Sequence, residues 1–375
     1  MLDITKFKYG FTPRIDTSTI KTKIFKLPTD QSLEELVKAR KTSIKVVGAG
    51  GAGNNTIHRL LDVGIDGADC IAINTDAQDL LYTNAHQKVL IGKNITGGLG
   101  AGADPTVGAE AAREDEKEIK EVLMGADLVF VTCGLGGGTG TGSVPIIAEV
   151  AKKVKALVIG IVTLPFSLEG AVRWENAMQG LANLREHTDT VIIIPNDKLL
   201  EIVPELPLNA AFKVADEVLV NAVKGVTELV TKEGLVNLDF ADLRTVMKDG
   251  GTAMIGLGES DTEERARDAV EKALNNPLLD VQIEGGKGAL INITGGADMT
   301  LHESRVVMEA VAEKLDPQAR LIWGARIDPE LQNLMRVLIV VTGLKQQKQI
   351  LGPEGVEERK HLKTKLEREY GIEFV

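Results

Sequence analysis

The chain has 375 residues, a formal net charge of −11 and 43% hydrophobic residues, enough material for two or three domains with cores of their own. The acidic balance argues against nucleic acid as a partner, which calls for clustered Lys and Arg. Cys70 and Cys133 sit in apolar runs and the five histidines are scattered, so neither a disulfide framework nor metal-ligand spacing is present.

The apolar runs at 156–164 and 337–341 are far shorter than the ~20 residues that span a bilayer. The first residues lack the apolar centre of a signal peptide. A soluble, cytoplasmic protein without transmembrane insertion is expected.

Residues 1–42 mix Thr, Lys, Pro and aromatics and read as an N-terminal extension. Within it, 32–40 predicts a short helix, with Ser32 and Glu35 in capping-box spacing. Strands are then predicted at 43–47, 70–73, 88–91, 127–133, 157–164 and 190–195. Helices are predicted from the glycines at 48–53 through Leu61, and over 107–123, 143–154 and 172–187. Strands alternating with helices predict a parallel, Rossmann-like α/β domain over 43–207. Apolar residues at helical spacing without a break predict one long helix over 208–230, ended by Gly234, as a connector at 208–234. A smaller α/β domain is expected over 235–345. It has strands at 254–257, 288–293, 320–327 and 336–342 and helices at 262–274 and 300–315. Residues 346–375 are charge-rich, end in Ile372, Phe374 and Val375, and read as a tail that orders on binding a partner.

Residues 134–142 read Gly-Leu-Gly-Gly-Gly-Thr-Gly-Thr-Gly. A buried strand precedes them and a helix start follows. Glycines let the backbone approach a ligand, and the unpaired N–H groups of a first helical turn point at it. Thr139 and Thr141 add hydroxyl donors, and no acid lies in the loop. A plain tight turn needs only one or two of these glycines. Two further glycine-rich loops, at 48–53 and 96–102, also follow predicted strands. All three therefore fall on the carboxyl edge of the sheet, where such sheets bind ligands.

The Walker string Gly-Lys-Ser/Thr is absent. Gly48-x-Gly50-x-x-Gly53 matches the dinucleotide fingerprint, with Asp76 placed 23 residues beyond as a ribose-binding acid would be. That match supports an alternative, an NAD(P)-dependent oxidoreductase, but no His or Tyr stands out as its acid/base. Several phosphate loops on one edge suit a mononucleotide triphosphate better.

Gly-Gly-Gly-Thr-Gly-Thr-Gly at 136–142 resembles the signature loop of the tubulin/FtsZ superfamily, and Asn237-Leu-Asp239-Phe-Ala-Asp242 resembles its catalytic loop beyond a central helix. Over roughly 43–345 the chain is similar to the prokaryotic cell-division branch of that superfamily, archaeal in type. The resemblance implies a GTPase that binds GTP or GDP with Mg²⁺ and polymerises head to tail with itself into the filaments of the mid-cell division ring. It also implies membrane-tethering and division adaptor proteins as partners, for which the C-terminal tail is the expected docking segment. No dedicated metal site is implied, the Mg²⁺ being held by phosphates and water.

Residue by residue, Gly51, Ala52, Gly53, Asn54 and Asn55 match the first nucleotide loop. Asn74, Thr75 and Asp76 match the second, near the γ-phosphate and Mg²⁺. Ala101, Gly102 and Ala103 match the γ-phosphate-sensing loop. Gly136, Gly137, Gly138, Thr139, Gly140, Thr141 and Gly142 match the signature loop. Thr163, Pro165, Glu169 and Arg173 match the ribose side, and Asn196, Phe212 and Asp216 the guanine contacts. Asn237, Asp239 and Asp242 match the catalytic residues. Ala52 departs from the pattern, since many members carry glycine there.

The residue chemistry points the same way. Phe212 and Asp216 lie one helical turn apart on one face, and a carboxylate accepts the paired N–H donors of guanine, which adenine lacks. The plainer readings are a core Phe212, a solvated Asp216, a surface ion pair of Glu169 with Arg173 and a cap-and-turn cluster of Asn237, Asp239 and Asp242. From Asp216 to Val230 the helix runs ~21 Å. A nucleotide held at Asp216 is therefore out of reach of Asp239 in the same chain, and the acids are expected to act on a neighbouring subunit's GTP.

Overall fold

The computed structural model describes residues 42–198, 208–232, 234–236, 239–276, 283 and 285–344, with no side chains at 208–212. The expected N-terminal helix, the side chain of Phe212, Asn237 and the tail lie outside the described residues.

One ten-stranded sheet runs through the described chain in the order β3-β2-β1-β4-β5-β6-β7-β10-β8-β9. The strands are β1 Ile44–Ala49, β2 Ala68–Asn74, β3 Gln87–Leu90, β4 Leu128–Gly134, β5 Leu157–Leu164, β6 Thr190–Pro195, β7 Gly251–Ser260, β8 Gly288–Gly295, β9 Arg320–Ile327 and β10 Met335–Thr342. The first six pair in parallel, and β7 continues from β6 through Thr190 opposite Gly251. Beyond β7 the sheet is mixed: β10 is antiparallel to both β7 and β8, and β9 is parallel to β8.

The order 3-2-1-4-5-6 reverses between β1 and β4, which makes the carboxyl ends of those two strands the switch point where open α/β sheets take ligands. Helices cover both faces of the sheet, so its central strands are apolar throughout rather than alternating. In β1, Ile44 and Val46 enter one core, and Val47 and Ala49 the other.

Helices in chain order are α1 Gly50–Val63, α2 Ala77–Tyr82, α3 Lys93–Thr96, α4 Pro105–Glu114, α5 Glu116–Leu123, α6 Thr139–Lys153, α7 Ala171–His187, α8 Leu208–Thr231, α9 Phe240–Met247, α10 Arg265–Leu274 and α11 Leu301–Ala312. The single helix expected over 107–123 is two helices. Asp115 leaves helical geometry (ψ 26°) and its carboxylate accepts the Gly92 N–H at 2.7 Å, a tertiary bond that outweighs local helix propensity. That expected helix also begins earlier, because Asp104 caps it through the Thr106 N–H and Pro105 occupies its first turn. The strand expected at 254–257 is ten residues long, since β6 and β10 both pair with it. The third glycine loop follows α3 rather than a strand.

The long helix α8 joins the two halves. Leu219, Val223 and Val226 share one core with Ile159 and Ile192 of the first half and with Leu290, Leu338 and Val340 of the second. At Gly225 a Cβ would stand 2.6 Å from the Leu338 side chain, so glycine permits the close approach.

Candidate functional site

A cleft of about 270 Å³ opens at the switch point. Ala49 and Gly50–Ala52 form one wall, and Gly134, Leu135 and Gly137–Gly140 the facing wall. Thr163, Pro165, Glu169 and Arg173 close one side, and Asn196, Ala215 and Asp216 the far end.

Two helices start in this cleft, α1 after Ala49 and α6 after Gly138. Neither has a side-chain cap or an acid in its first turn. Elsewhere in the chain Asp76, Asp104, Asp239 and Thr300 cap their helices. The free N–H groups of α1 and α6, with the partial positive charge of two helix ends, form an anion site suited to phosphates. Gly50 has φ +70°, and a Cβ on it would meet the Gly140 backbone nitrogen at 2.9 Å, so the two loops touch only because both are glycine. The Ala52 departure is accommodated, for its methyl faces Gly134 across the cleft.

Of the residues expected from sequence, Gly51, Ala52, Gly137, Gly138, Thr139, Gly140, Thr163, Pro165, Glu169, Arg173, Asn196 and Asp216 line the cleft. Others stand behind it. Gly53 packs on β4, where a Cβ would meet the Thr132 carbonyl at 2.7 Å, and Gly142 packs on the Pro105 carbonyl of α4. Thr141 is corrected in role: its buried hydroxyl accepts the Gly136 N–H at 2.8 Å and braces the signature loop from within. Asn55 is exposed on α1. Asp76 caps α2 through one carboxylate oxygen, Oδ1, which accepts the N–H groups of Gln78 and Asp79. Ala101 packs where a Gly138 Cβ would go, while Gly102 and Ala103 are exposed, both in left-handed geometry.

Asn54 and Asn74 are buried, and both donate their amide N–H₂ groups to one oxygen of Asp79, at 2.9 and 2.6 Å. Asp79 is the residue that sequence reading missed. Its only signal was a carboxylate three residues beyond Asp76.

Asp216 is half-buried at the far end of the cleft. Burial pushes its carboxyl up to about 6, the Arg59 guanidinium draws it back, and the Glu217 carboxylate adds to the rise. Glu169 pairs with Arg173 at 3.0 Å and also accepts the Phe166 N–H at 2.8 Å. The plainer ion-pair reading of those two residues therefore holds alongside their place in the cleft wall. Asn196 lines the cleft, is buried, and its side-chain oxygen lacks a hydrogen-bond partner among the described residues.

Asp239 and Asp242 are exposed, and they lie elsewhere. The end of α8 packs beside Gly67, and Lys232 pairs with Asp66 at 3.1 Å, just before β2 begins. That is the amino edge of the sheet, opposite the cleft. Fifteen helical residues, ~22 Å, separate Asp216 from Thr231.

Residues 43–204 match the family described as Tubulin/FtsZ family, GTPase domain, and residues 251–345 match FtsZ family, C-terminal domain. The chain belongs to the tubulin/FtsZ family. A cell division protein FtsZ 1 of Pyrococcus horikoshii is 61% identical over 315 residues, 84% of each chain. An FtsZ structure from M. jannaschii, titled an empty dimer, superposes with a TM-score of 0.82 at 58% identity, over 85% of this chain and 93% of that one. A CetZ2 structure from Haloferax volcanii, titled a GTPγS-bound protofilament, shares the fold at 21% identity, with a TM-score of 0.72 over 85% of this chain and all of that one.

As an FtsZ-family member the chain is a tubulin-like GTPase of cell division that forms filaments. The oxidoreductase alternative is set aside: Gly48-x-Gly50-x-x-Gly53 here belongs to the first of the GTPase domain's loops, and its third glycine serves helix–strand packing.

Proposed function

We propose that the cleft binds GTP or GDP, that copies of the chain stack head to tail, and that Asp239 and Asp242 of one copy hydrolyse the GTP of the next. One observation carries this reading: the anion site lies at the carboxyl edge of the sheet, and the central helix carries the chain to the amino edge, beside Asp66 and Gly67, before the exposed Asp239 and Asp242. A hydrolytic acid must come within ~3 Å of its water, so only a second copy can bring acids to the cleft. A contact between unlike faces that does not close on itself makes a filament.

Within the cleft, the N–H groups of α1 and α6 hold the phosphates, Thr139 adds a hydroxyl, and Glu169 and Arg173 flank the ribose. Asp216 accepts the N1–H and N2–H₂ donors of guanine, and Asn196 lies beside them in the cleft wall. The Phe212 side chain and Asn237, outside the described residues, keep the stacking and positioning roles that the family motif implies. The hard hydroxyl oxygens beside the anion site suit a Mg²⁺ that keeps its waters and takes its charge partners from the phosphates. When bound, it neutralises charge on the transferring phosphoryl group. Asp239 and Asp242 orient or polarise the attacking water.

The proposal extends to domains at 43–207 and 235–345 joined by the helix connector at 208–234. It also extends to a cytoplasmic filament at the mid-cell ring, tethered to membrane by adaptor proteins that bind residues 346–375. No helix among the described residues is long and apolar enough to cross a membrane.

Light scattering and phosphate release from the purified chain test the reading. Scattering should rise with GTP and not with GDP or without nucleotide. Turnover per molecule should rise with protein concentration. Turnover independent of concentration would overturn the shared site, and absence of GTP binding would overturn the cleft assignment.

A further inference from the structure

We propose that Asp79 is a positioning residue for the nucleotide loops, acting on the cleft through a chain of hydrogen bonds that ends at the Thr139 hydroxyl. The proposal rests on the assignment of the cleft to GTP.

Asp79 lies in the first turn of α2 and is half-buried, outside the cleft wall. Its Oδ2 accepts Nδ2 of Asn54 from α1 and Nδ2 of Asn74 from the end of β2. The second of these bonds settles which way the Asn74 amide faces. Its Oδ1 is then turned to accept the backbone N–H of Thr75 at 2.8 Å and of Asp76 at 3.3 Å. Thr75, fully buried, meets Thr139 hydroxyl to hydroxyl at 2.6 Å. Thr139 opens α6 and lines the cleft. One carboxylate oxygen therefore ties together the first loop, the second loop and the signature loop.

With the acceptor removed, two buried amides lose their partner and the Asn74 amide is free to turn. The Thr75–Thr139 pair then loses its fixed starting point. The loops sample other arrangements, and nucleotide binding weakens by the fraction of time the competent one is lost. The chemistry, whose acids come from another copy, keeps its rate once the site is filled.

Both amides donate to the same oxygen, so an amide carbonyl in its place can accept both bonds. That makes Asp79→Asn the conservative rescue. Asp79→Glu keeps a negative charge in the first helical turn but carries the oxygens one methylene further out. Asp79→Ala removes the acceptor. The expected result, with radiolabelled GTP on the full chain, is about a tenfold rise in Kd and KM for Ala and for Glu. Wild-type affinity should return in Asn, and kcat at saturating GTP should stay within about twofold throughout. A merely structural role would instead follow thermal stability, and Glu at this half-exposed position keeps a folded protein for the comparison if Ala does not.

Thr139→Val supplies the second arm. Because Asp79 acts through Thr139, the double variant Asp79→Ala/Thr139→Val should bind no more weakly than the weaker single variant. Unchanged Kd in Ala and Glu, failure of Asn to restore it, or fully additive losses in the double variant would each overturn the proposal. Failure of the wild-type chain to bind GTP would instead overturn the cleft assignment on which it rests.

Discussion

The side chain of Asp239 accepts the backbone N–H of Asp242 at 2.8 Å and so caps the helix that follows the central one. The same residue is an exposed acid that does not line the cleft. Its cap function and its proposed part in hydrolysis are separable by substitution.

Asparagine caps helices as well as aspartate, whereas alanine at a cap costs about 1 kcal/mol. Asp239→Asn should therefore melt like the wild type, and Asp239→Ala a few degrees lower. Both should bind GTP normally and lose hydrolysis by roughly 10²–10⁴, with longer-lived filaments. Thermal melts beside single-site GTP titrations and phosphate release check this; normal turnover in Asp239→Asn would remove the residue from the chemistry.

The shared site is tested by mixing. A Cβ on Gly138 would stand 2.8 Å from the Asp104 backbone nitrogen, so Gly138→Val disrupts the signature loop and GTP binding. Its acids at 239 and 242 remain intact. Combined with Asp239→Ala, whose cleft is intact, it should restore GTP hydrolysis that neither variant shows alone. Co-sedimentation confirms joint assembly; a mixture that co-assembles and stays inactive contradicts action between copies.

Asp216 predicts a pH dependence with a definite sign. Its folded carboxyl titrates near 6, raised mainly by burial. The folded state thus holds the proton more tightly than the unfolded chain. This favours folding below the ordinary aspartate range near 4 and is lost as pH climbs through about 6. The nucleotide-free protein should lose stability between about pH 4 and 6 relative to Asp216→Asn. GTP affinity should run the other way, because guanine donates to the ionised carboxylate. At pH 5 it should be about tenfold below its value at pH 7, with Asp216→Asn reporting the pH response of the phosphates alone. Parallel pH profiles in the two proteins would remove Asp216 from base recognition.

Thr141→Val keeps the shape of the buried side chain but strips the acceptor from the Gly136 N–H. A buried donor left without a partner costs roughly 1–3 kcal/mol. Chemical denaturation should register that loss, and GTP affinity should fall with it as the signature loop loosens. Unaltered stability would show that water replaces the hydroxyl.

Ala103 adopts φ 61° beside the cleft, in a left-handed conformation that L-residues other than Asn, Asp and Gly rarely take. Ala103→Gly should relieve that strain and, after the entropy cost of glycine, raise stability by roughly 0.5–1 kcal/mol. An unchanged or lowered denaturation midpoint would show that neighbours, not the residue itself, set this geometry.

What the sequence determined by itself was everything carried by short-range pattern. Uniformly apolar segments named the parallel strands, an unbroken helical spacing named the central helix, and the glycines of 134–142 named an anion loop. The length of that helix already implied that Asp216 and Asp239 are too far apart to serve one nucleotide. Tertiary structure decided which members of each loop face the cleft. Thr139 and Thr141 are alike in sequence, yet one lines the wall and the other turns inward to Gly136, because successive helical positions point in different directions. The break at Asp115 and the bridging role of Asp79 rest on partners 23 and 25 residues away, Gly92 and Asn54, and no local propensity encodes such bonds. The switch point itself exists only because β1 lies between β2 and β4, a choice of neighbours made by packing three-dimensional layers and not by any one segment of the chain.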